Sequence, residues 1–277
     1  MRVQSTFPNN SPTPKRLILS LLSAPELPEI SVQGVIRWGE LFGIDAGAVR
    51  VSLGRMTKAQ LLESPRRGHY AIGPAGQALA ATARSWVKSE ERLKDWDGGW
   101  LVAHTAHLKR SNRGALRARE RAFALDGFVA IEKELWCRPA NYRESLKTTL
   151  SRMCDLGLEA ETVLIEANSV EPKPQPESLW PIDALRGRYL ELSQAMEVSL
   201  ERLPTLDTWT AAKETFLVGE SVIRQINADP LLPDAMIDAS ARRHMHSMMI
   251  EYDQAGRSVW ARFQQDNPKH LSTEKTQ

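Results

Sequence analysis

Val49, Leu53 and Met56 recur at i, i+4 and i+7, which stacks them on one stripe of a helix and turns Gly47, Arg50, Val51, Gly54, Arg55 and Lys58 away from it. Asp45 suits the start of that helix, because its carboxylate can accept free backbone N–H groups of the first turn and lies at the positive end of the macrodipole. Two shorter amphipathic stretches precede it. Lys15 to Leu22 carries Leu17, Ile18, Leu21 and Leu22, and Val32 to Phe42 carries Val35, Ile36, Trp38 and Phe42. After the helix, Leu61 to Ser64 and His69 to Ile72 read as two short strands joined by the turn residues Pro65-Arg66-Arg67-Gly68.

Farther along, the alanine-rich stretch Gln77 to Lys94 reads as a connector helix, and Asp95-Trp96-Asp97-Gly98-Gly99 breaks the periodicity. An alternating pattern follows: strand Trp100 to Ala106, helix Arg113 to Leu125 with the stripe Leu116, Ala122 and Phe123, and strands Phe128 to Ala130 and Leu135 to Arg138. Helix Tyr142 to Leu156 and strand Glu161 to Glu166 complete it. That is the βαββαβ order of a ferredoxin-like unit. Asn168 to Ser178, with three prolines, reads as an extended linker. Helices are expected at Pro181 to Leu203, Thr205 to Asn227 and about Pro233 to Phe263, with Pro181 and Pro233 in first-turn positions.

The expected fold class is therefore mainly α with α+β parts. A winged helix-turn-helix spans 14–76, a connector 77–94, a ferredoxin-like middle domain 95–168 and a helical domain 179–265, with disordered tails at 1–13 and 266–277.

Net charge is only +2 over 277 residues, but its distribution is uneven: the first 150 residues carry 23 Lys+Arg against 14 Asp+Glu, and the remaining 127 carry 13 against 20. A basic first half suits duplex DNA. Arginine offers the planar fork that matches guanine in the major groove, so Arg50 and Arg55 are the candidate base readers, with Ser52 and Lys58 on the same helix. Arg66, Arg67 and His69 on the hairpin are placed to straddle phosphates or enter a minor groove. Lys109, Arg110, Arg113, Arg117, Arg119 and Arg121, with Glu120 the only nearby carboxylate, either extend that surface or form a solvated face.

Cys137 and Cys154 lack metal-ligand spacing and are expected to be reduced, which together with the polar, proline-rich Met1 to Lys15 and the absence of a ~20-residue apolar run points to the cytoplasm and away from a membrane. His244 and His246 sit two apart, about 200° around a helix, and cannot share one metal. No catalytic residues are assigned. The first strand of the middle domain ends in His104-Thr105-Ala106-His107, without the carboxylate a magnesium-dependent nuclease would place there, and no Gly-rich phosphate loop or nucleophile triad occurs. A nuclease, or a dimerisation scaffold that binds no DNA, are the alternatives to a DNA-binding regulator.

Four segments in order, Ala48 to Met56, Trp96 to Trp100, Trp180-Pro181-Ile182-Asp183-Ala184-Leu185 with Tyr189, and Asp229-Pro230-Leu231-Leu232-Pro233, resemble the PaaX family of phenylacetate-catabolism repressors. The resemblance runs from about Lys15 to Trp260. It implies a homodimer that binds palindromic promoter DNA, a middle domain similar to that of small CRISPR-associated proteins, and release of the operator by phenylacetyl-coenzyme A or another acyl-coenzyme A thioester, with no resident cofactor. The chain departs from the family between Val218 and Asn227, where members are richer in arginine and aromatics, and in Asp234 to Asp238, which lacks their tryptophan. Candidate effector residues are Arg186, Tyr189, Trp209, Arg224 and Trp260. Trp180 and Phe216 are further aromatic lining, and Arg242, Arg243 and Arg257 are read mainly as partners of carboxylates such as Glu251.

Overall fold

The computed structural model describes residues 11–24 and 27–265. The described residues divide into two compact units, one drawn from 11–85, 192–223 and 248–265, the other from 86–191 and 224–247. The three C-terminal helices are thus shared between them.

In the first unit, α1 (Pro14–Leu22) is capped by Thr13, α2 (Val32–Glu40) by Ser31 and α3 (Ala46–Lys58) by Asp45, each side chain accepting a first-turn N–H. Pro12 is buried and Thr13 is a cap, so residues 11–13 belong to the fold; the rest of both expected tails lies outside the described residues. Strands β1 (Glu29–Ser31), β2 (Leu62–Glu63) and β3 (His69–Ile72) form an antiparallel sheet in the order β1-β3-β2, with Ile30 opposite Tyr70 and Leu62 opposite Ile72. β1 was not expected, since three residues after a proline leave no period to read.

The connector is not one helix. α4 (Gln77–Arg84) ends at Arg84, where the Arg84 guanidinium donates to the carbonyls of Leu22 and Ser23, and two 3-10 turns follow.

The expected stripes are the core of this unit: Leu17, Ile18 and Leu21, Val35 and Trp38, and Val49, Leu53 and Met56 are all within 2% of complete burial. Segments of α9 (Thr208–Asn227) and α10 (Ser240–Gln265) join the same core, with Trp38 edge-on to Phe263 at 4.8 Å and Phe42 tilted on Phe216 at 5.0 Å.

In the second unit, Trp96-Asp97-Gly98-Gly99-Trp100 forms a closed turn in which Trp96 donates to the Gly99 carbonyl at 2.6 Å and Asp97 accepts from Gly99 N–H at 3.0 Å. Gly98 sits at φ +96°, where a side chain would be strained. Strands β4 (Trp100–His104), β5 (Val129–Glu132), β6 (Leu135–Pro139) and β7 (Val163–Ala167) are antiparallel in the order β5-β6-β4-β7, with helices α5 (Arg113–Leu125) and α6 (Leu146–Asp155) between them in the chain. Leu101, Ala103, Phe123, Phe128 and Met153 fill the space beneath, and Trp136 stacks on Phe123 at 4.5 Å.

Two helices start later than the pattern suggests. Tyr142 and Arg143 are held extended against Leu93 and Arg92, so α6 begins only after its cap Ser145. Asp234 and Asp238 accept the N–H groups of Ala239 and Ser240, which places the start of α10 at Ser240 and leaves Pro233 outside it. The linker 168–178 runs into the short helix α7 (Pro176–Leu179), and α8 spans Ile182–Arg202. Among the described residues, no helix is long and apolar enough to cross a membrane.

Candidate nucleic-acid interface

α3 presents its charged side outward because the other side is committed to the core. Arg50, Arg55 and Lys58 are exposed with Gly47, Val51 and Gly54, whereas Val49, Leu53 and Met56 are buried. Among the described residues, the side chains of Arg50, Arg55, Lys58 and Arg67 have no hydrogen-bond or ion-pair partner. Ser52 is half-buried and turns its hydroxyl toward the Met56 sulfur at 3.6 Å. Val51, 54% exposed, adds an apolar group of the kind that meets a thymine methyl.

A Cβ on Gly54 would meet nothing within 4 Å, so the fold itself does not require glycine there. Alanine at that position is expected to stabilise the free protein by about 0.5–1 kcal/mol in thermal unfolding. If the face sinks against bases, the same Gly54→Ala change weakens DNA binding; unchanged or tighter binding would show that the helix does not approach DNA closely at Gly54.

The hairpin tip is held by the Ser64 hydroxyl, which donates to the Arg66 carbonyl at 2.9 Å, and by Gly68 at φ +76°. Its two arginines differ. Arg66 is tied across the sheet to Glu29, with Nη2 at 2.7 Å and Nε at 3.1 Å from one carboxylate oxygen, while Arg67 is exposed. His69 is half-buried, with Nδ1 at 3.4 Å from the Arg67 carbonyl. The structure thus brings Arg50, Arg55, Lys58 and Arg67 into one unit as exposed cations and gives Arg66 a structural partner.

No protein-family model matches the chain, and no curated protein does. A solved structure, that of the uncharacterized protein Rv0674 from Mycobacterium tuberculosis, is similar in fold, with a TM-score of 0.57 at 19% identity over 90% of this chain and 99% of that one.

The basic helix α5 is less cationic at its surface than its sequence suggests. Arg119 is 1% exposed and donates to Glu159 at 2.7 Å and to Glu134 at 3.4 Å, and Arg110 also pairs with Glu134 at 3.3 Å. Arg119 in turn holds the Glu159 carboxyl below its ordinary range through that hydrogen bond. Glu134 accepts from the Thr105 hydroxyl at 2.8 Å, so a carboxylate does stand at the end of β4, but it is engaged by two arginines. Among the described residues, no group of three or more His, Cys, Asp or Glu side chains is arranged to hold a metal.

The candidate effector residues fall in different places. Arg186, Tyr189 and Arg224 belong to the second unit and Trp209 and Trp260 to the first. Arg186 and Arg224 are exposed. Tyr189 is buried beside Asp229, whose carboxyl burial pushes above its ordinary range against the pull of Arg242. Trp209 is 43% exposed and meets Phe263 edge-on at 5.3 Å, and Trp260 lines a cavity with Phe216. Trp180 donates to the Gly127 carbonyl at 3.2 Å. Arg242, Arg243 and Arg257 of α10 pair with carboxylates: Arg242 with Glu90 at 2.8 Å, Arg243 with Asp234 at 3.0 Å, Arg257 with Asp253 at 2.7 Å. His246 is buried with Nε2 at 2.8 Å from the Trp86 carbonyl, and His244 is exposed.

Proposed function

We propose that the chain is a DNA-binding transcription regulator whose first unit is a winged helix-turn-helix and whose second carries a ferredoxin-like sheet. The observation that supports this best is the exposed face of α3, where Arg50 and Arg55 stand unpaired among the described residues beside glycines, with Arg67 at the tip of the adjoining hairpin. The helix, strand, helix, helix and hairpin order of 14–72 supports the winged reading. In the second unit, the fourth strand lies next to the first, then the third, then the second, which supports the ferredoxin-like one.

The sequence resemblance to the PaaX repressors extends the proposal. The regulator acts in the cytoplasm as a homodimer on an inverted repeat, with two copies of α3 in successive major grooves about one helical turn or a multiple of it apart. It represses an aromatic or acyl catabolic operon and is released by an acyl-coenzyme A thioester. Release requires that the thioester favour the DNA-free state over the bound one.

Selection of duplexes from a random pool with the full chain, followed by salt titration on the selected site, tests the proposal. An enriched inverted repeat is expected, with affinity falling steeply between about 50 and 200 mM salt as phosphate counterions compete. A pool without enrichment, or binding indifferent to salt, would overturn it.

A further inference from the structure

Helices α1, α4, α9 and α10 of the first unit leave a cavity of about 110 Å3 between them. Its walls are largely apolar, with Phe216 and Ile223 from α9 and Met249, Tyr252 and Trp260 from α10. The space exists because small residues face it: Ser20 on α1, Ala83 on α4, Gly219 on α9 and Gly256 on α10. Neither glycine is forced by its surroundings. A Cβ on Gly219 would lie 3.6 Å from the Met249 methyl, and one on Gly256 would lie 3.6 Å from Thr215 Cβ, both ordinary contacts. Two helix-interior glycines, each costing about 1 kcal/mol relative to alanine, therefore border a void that the fold leaves open.

The charged groups around the cavity, and the hydroxyls of Thr215 and Tyr252, are already paired. Thr215 donates its hydroxyl to the Ala211 carbonyl at 2.8 Å and accepts from Trp260 Nε1 at 2.9 Å. The Tyr252 hydroxyl is bonded to Ser199 at 2.8 Å, Glu220 is paired with Arg16, and Asp253 with Arg257 at 2.7 Å. An entering molecule finds dispersion contacts and no unmet charge. Apolar cavities of about 150 Å3 stay dry and take up benzene, and this one is of the same order.

We propose that this cavity is a binding site for a single neutral aromatic ring. Ser20 on its wall belongs to α1 and Ser23 is the C-cap of that helix, and Glu220 on its rim is ion-paired to Arg16 of the same helix, so an occupant bears on α1, which packs against α3. That the occupant thereby alters DNA affinity rests on the function proposed for α3; binding itself does not.

The test uses the full chain with toluene and ethylbenzene as neutral probes, and benzoate and benzylamine as charged ones, read by thermal unfolding and calorimetric titration. The neutral rings are expected to bind with one site per chain and to raise Tm by about 3 °C at ten times Kd, while the charged analogues do neither. Gly256→Leu and Ser20→Leu fill the cavity from different helices, and each is expected to abolish the shift; should the first fail to fold, the second decides. Absence of a shift with both neutral probes, an equal shift with benzoate or benzylamine, or a shift retained in folded Ser20→Leu overturns the site. With a selected DNA site in hand, toluene is expected to change DNA affinity several-fold. Toluene binding with unchanged DNA affinity overturns the coupling through α1, and toluene binding by a chain that selects no DNA overturns the regulator reading and leaves the site standing.

Discussion

Changing Arg50 and Arg55 together to alanine is expected to remove sequence preference in DNA binding while leaving the fold intact. Each arginine that reads a guanine with both arms of its fork contributes about 1–3 kcal/mol of discrimination, so either single change should cost roughly 5- to 150-fold on the preferred site, and the double change more. Neither side chain has a partner among the described residues, and surface changes of that kind usually shift stability by no more than about 0.5 kcal/mol. Loss of binding is then attributable to the contact with DNA. Arg67→Ala supplies the contrast: a phosphate contact at the hairpin tip should weaken all sequences alike and lower the salt slope by about one. The measurement is fluorescence anisotropy on the selected duplex and on a scrambled one, with thermal unfolding in parallel. If the double variant still separates the two duplexes as the parent does, α3 does not read bases.

The parts of this molecule that were legible in the sequence are those in which neighbouring residues carry the information. The period of Val49, Leu53 and Met56, the cap Asp45 and the turn residues between Glu63 and His69 all act within a few positions, and α3, β2 and β3 lie where these signals put them. β1 escaped because Glu29–Ser31 becomes a strand only through pairing with β3, some forty residues on. The break after Arg84 escaped for a related reason: alanine-rich composition favours helix, but the chain turns where the Arg84 guanidinium meets the carbonyl ends of α1.

Charge was the less legible property. By residue type Arg119 looks like Arg117 and Arg121, yet it lies about 200° around the helix from both, on the buried side with Ala122 and Phe123, where Glu134 and Glu159 arrive from other elements and pair with it. Arg66 and Arg67 are adjacent in sequence and separated in role by Glu29. The cavity left no sequence signal at all, since it is a gap bounded by small residues on four helices, and none of the four shows a pattern that depends on the others. Aromatic residues at helical spacing point to Trp260 and Phe216, which do line it, and equally to Trp209, which does not.

Arg138→Met is expected to be among the most destabilising single changes available in the second unit, at about 3–5 kcal/mol. Arg138 has no exposed surface, and its guanidinium lies over the Tyr142 ring at 3.5 Å. It donates to the Asp126 carbonyl, to the Tyr142 hydroxyl, to Asn141 Oδ1 at 3.0 Å and to the Pro139 carbonyl at 3.2 Å. Methionine fills comparable space but leaves those acceptors buried and unpaired, at about 1–3 kcal/mol for each that finds no substitute. Asp126 itself keeps Arg152 and Arg92, so the loss comes from the abandoned oxygens more than from a stranded carboxylate. Lysine keeps the charge but not the planar fork, and Arg138→Lys should recover only part of the loss. Arg143→Ala, on an exposed side chain five positions along, should stay within about 0.5 kcal/mol. Urea unfolding of the three variants against the parent decides it. A methionine variant as stable as the parent would mean that those acceptors find other donors or water, and that the guanidinium is a passenger in the core of the second unit.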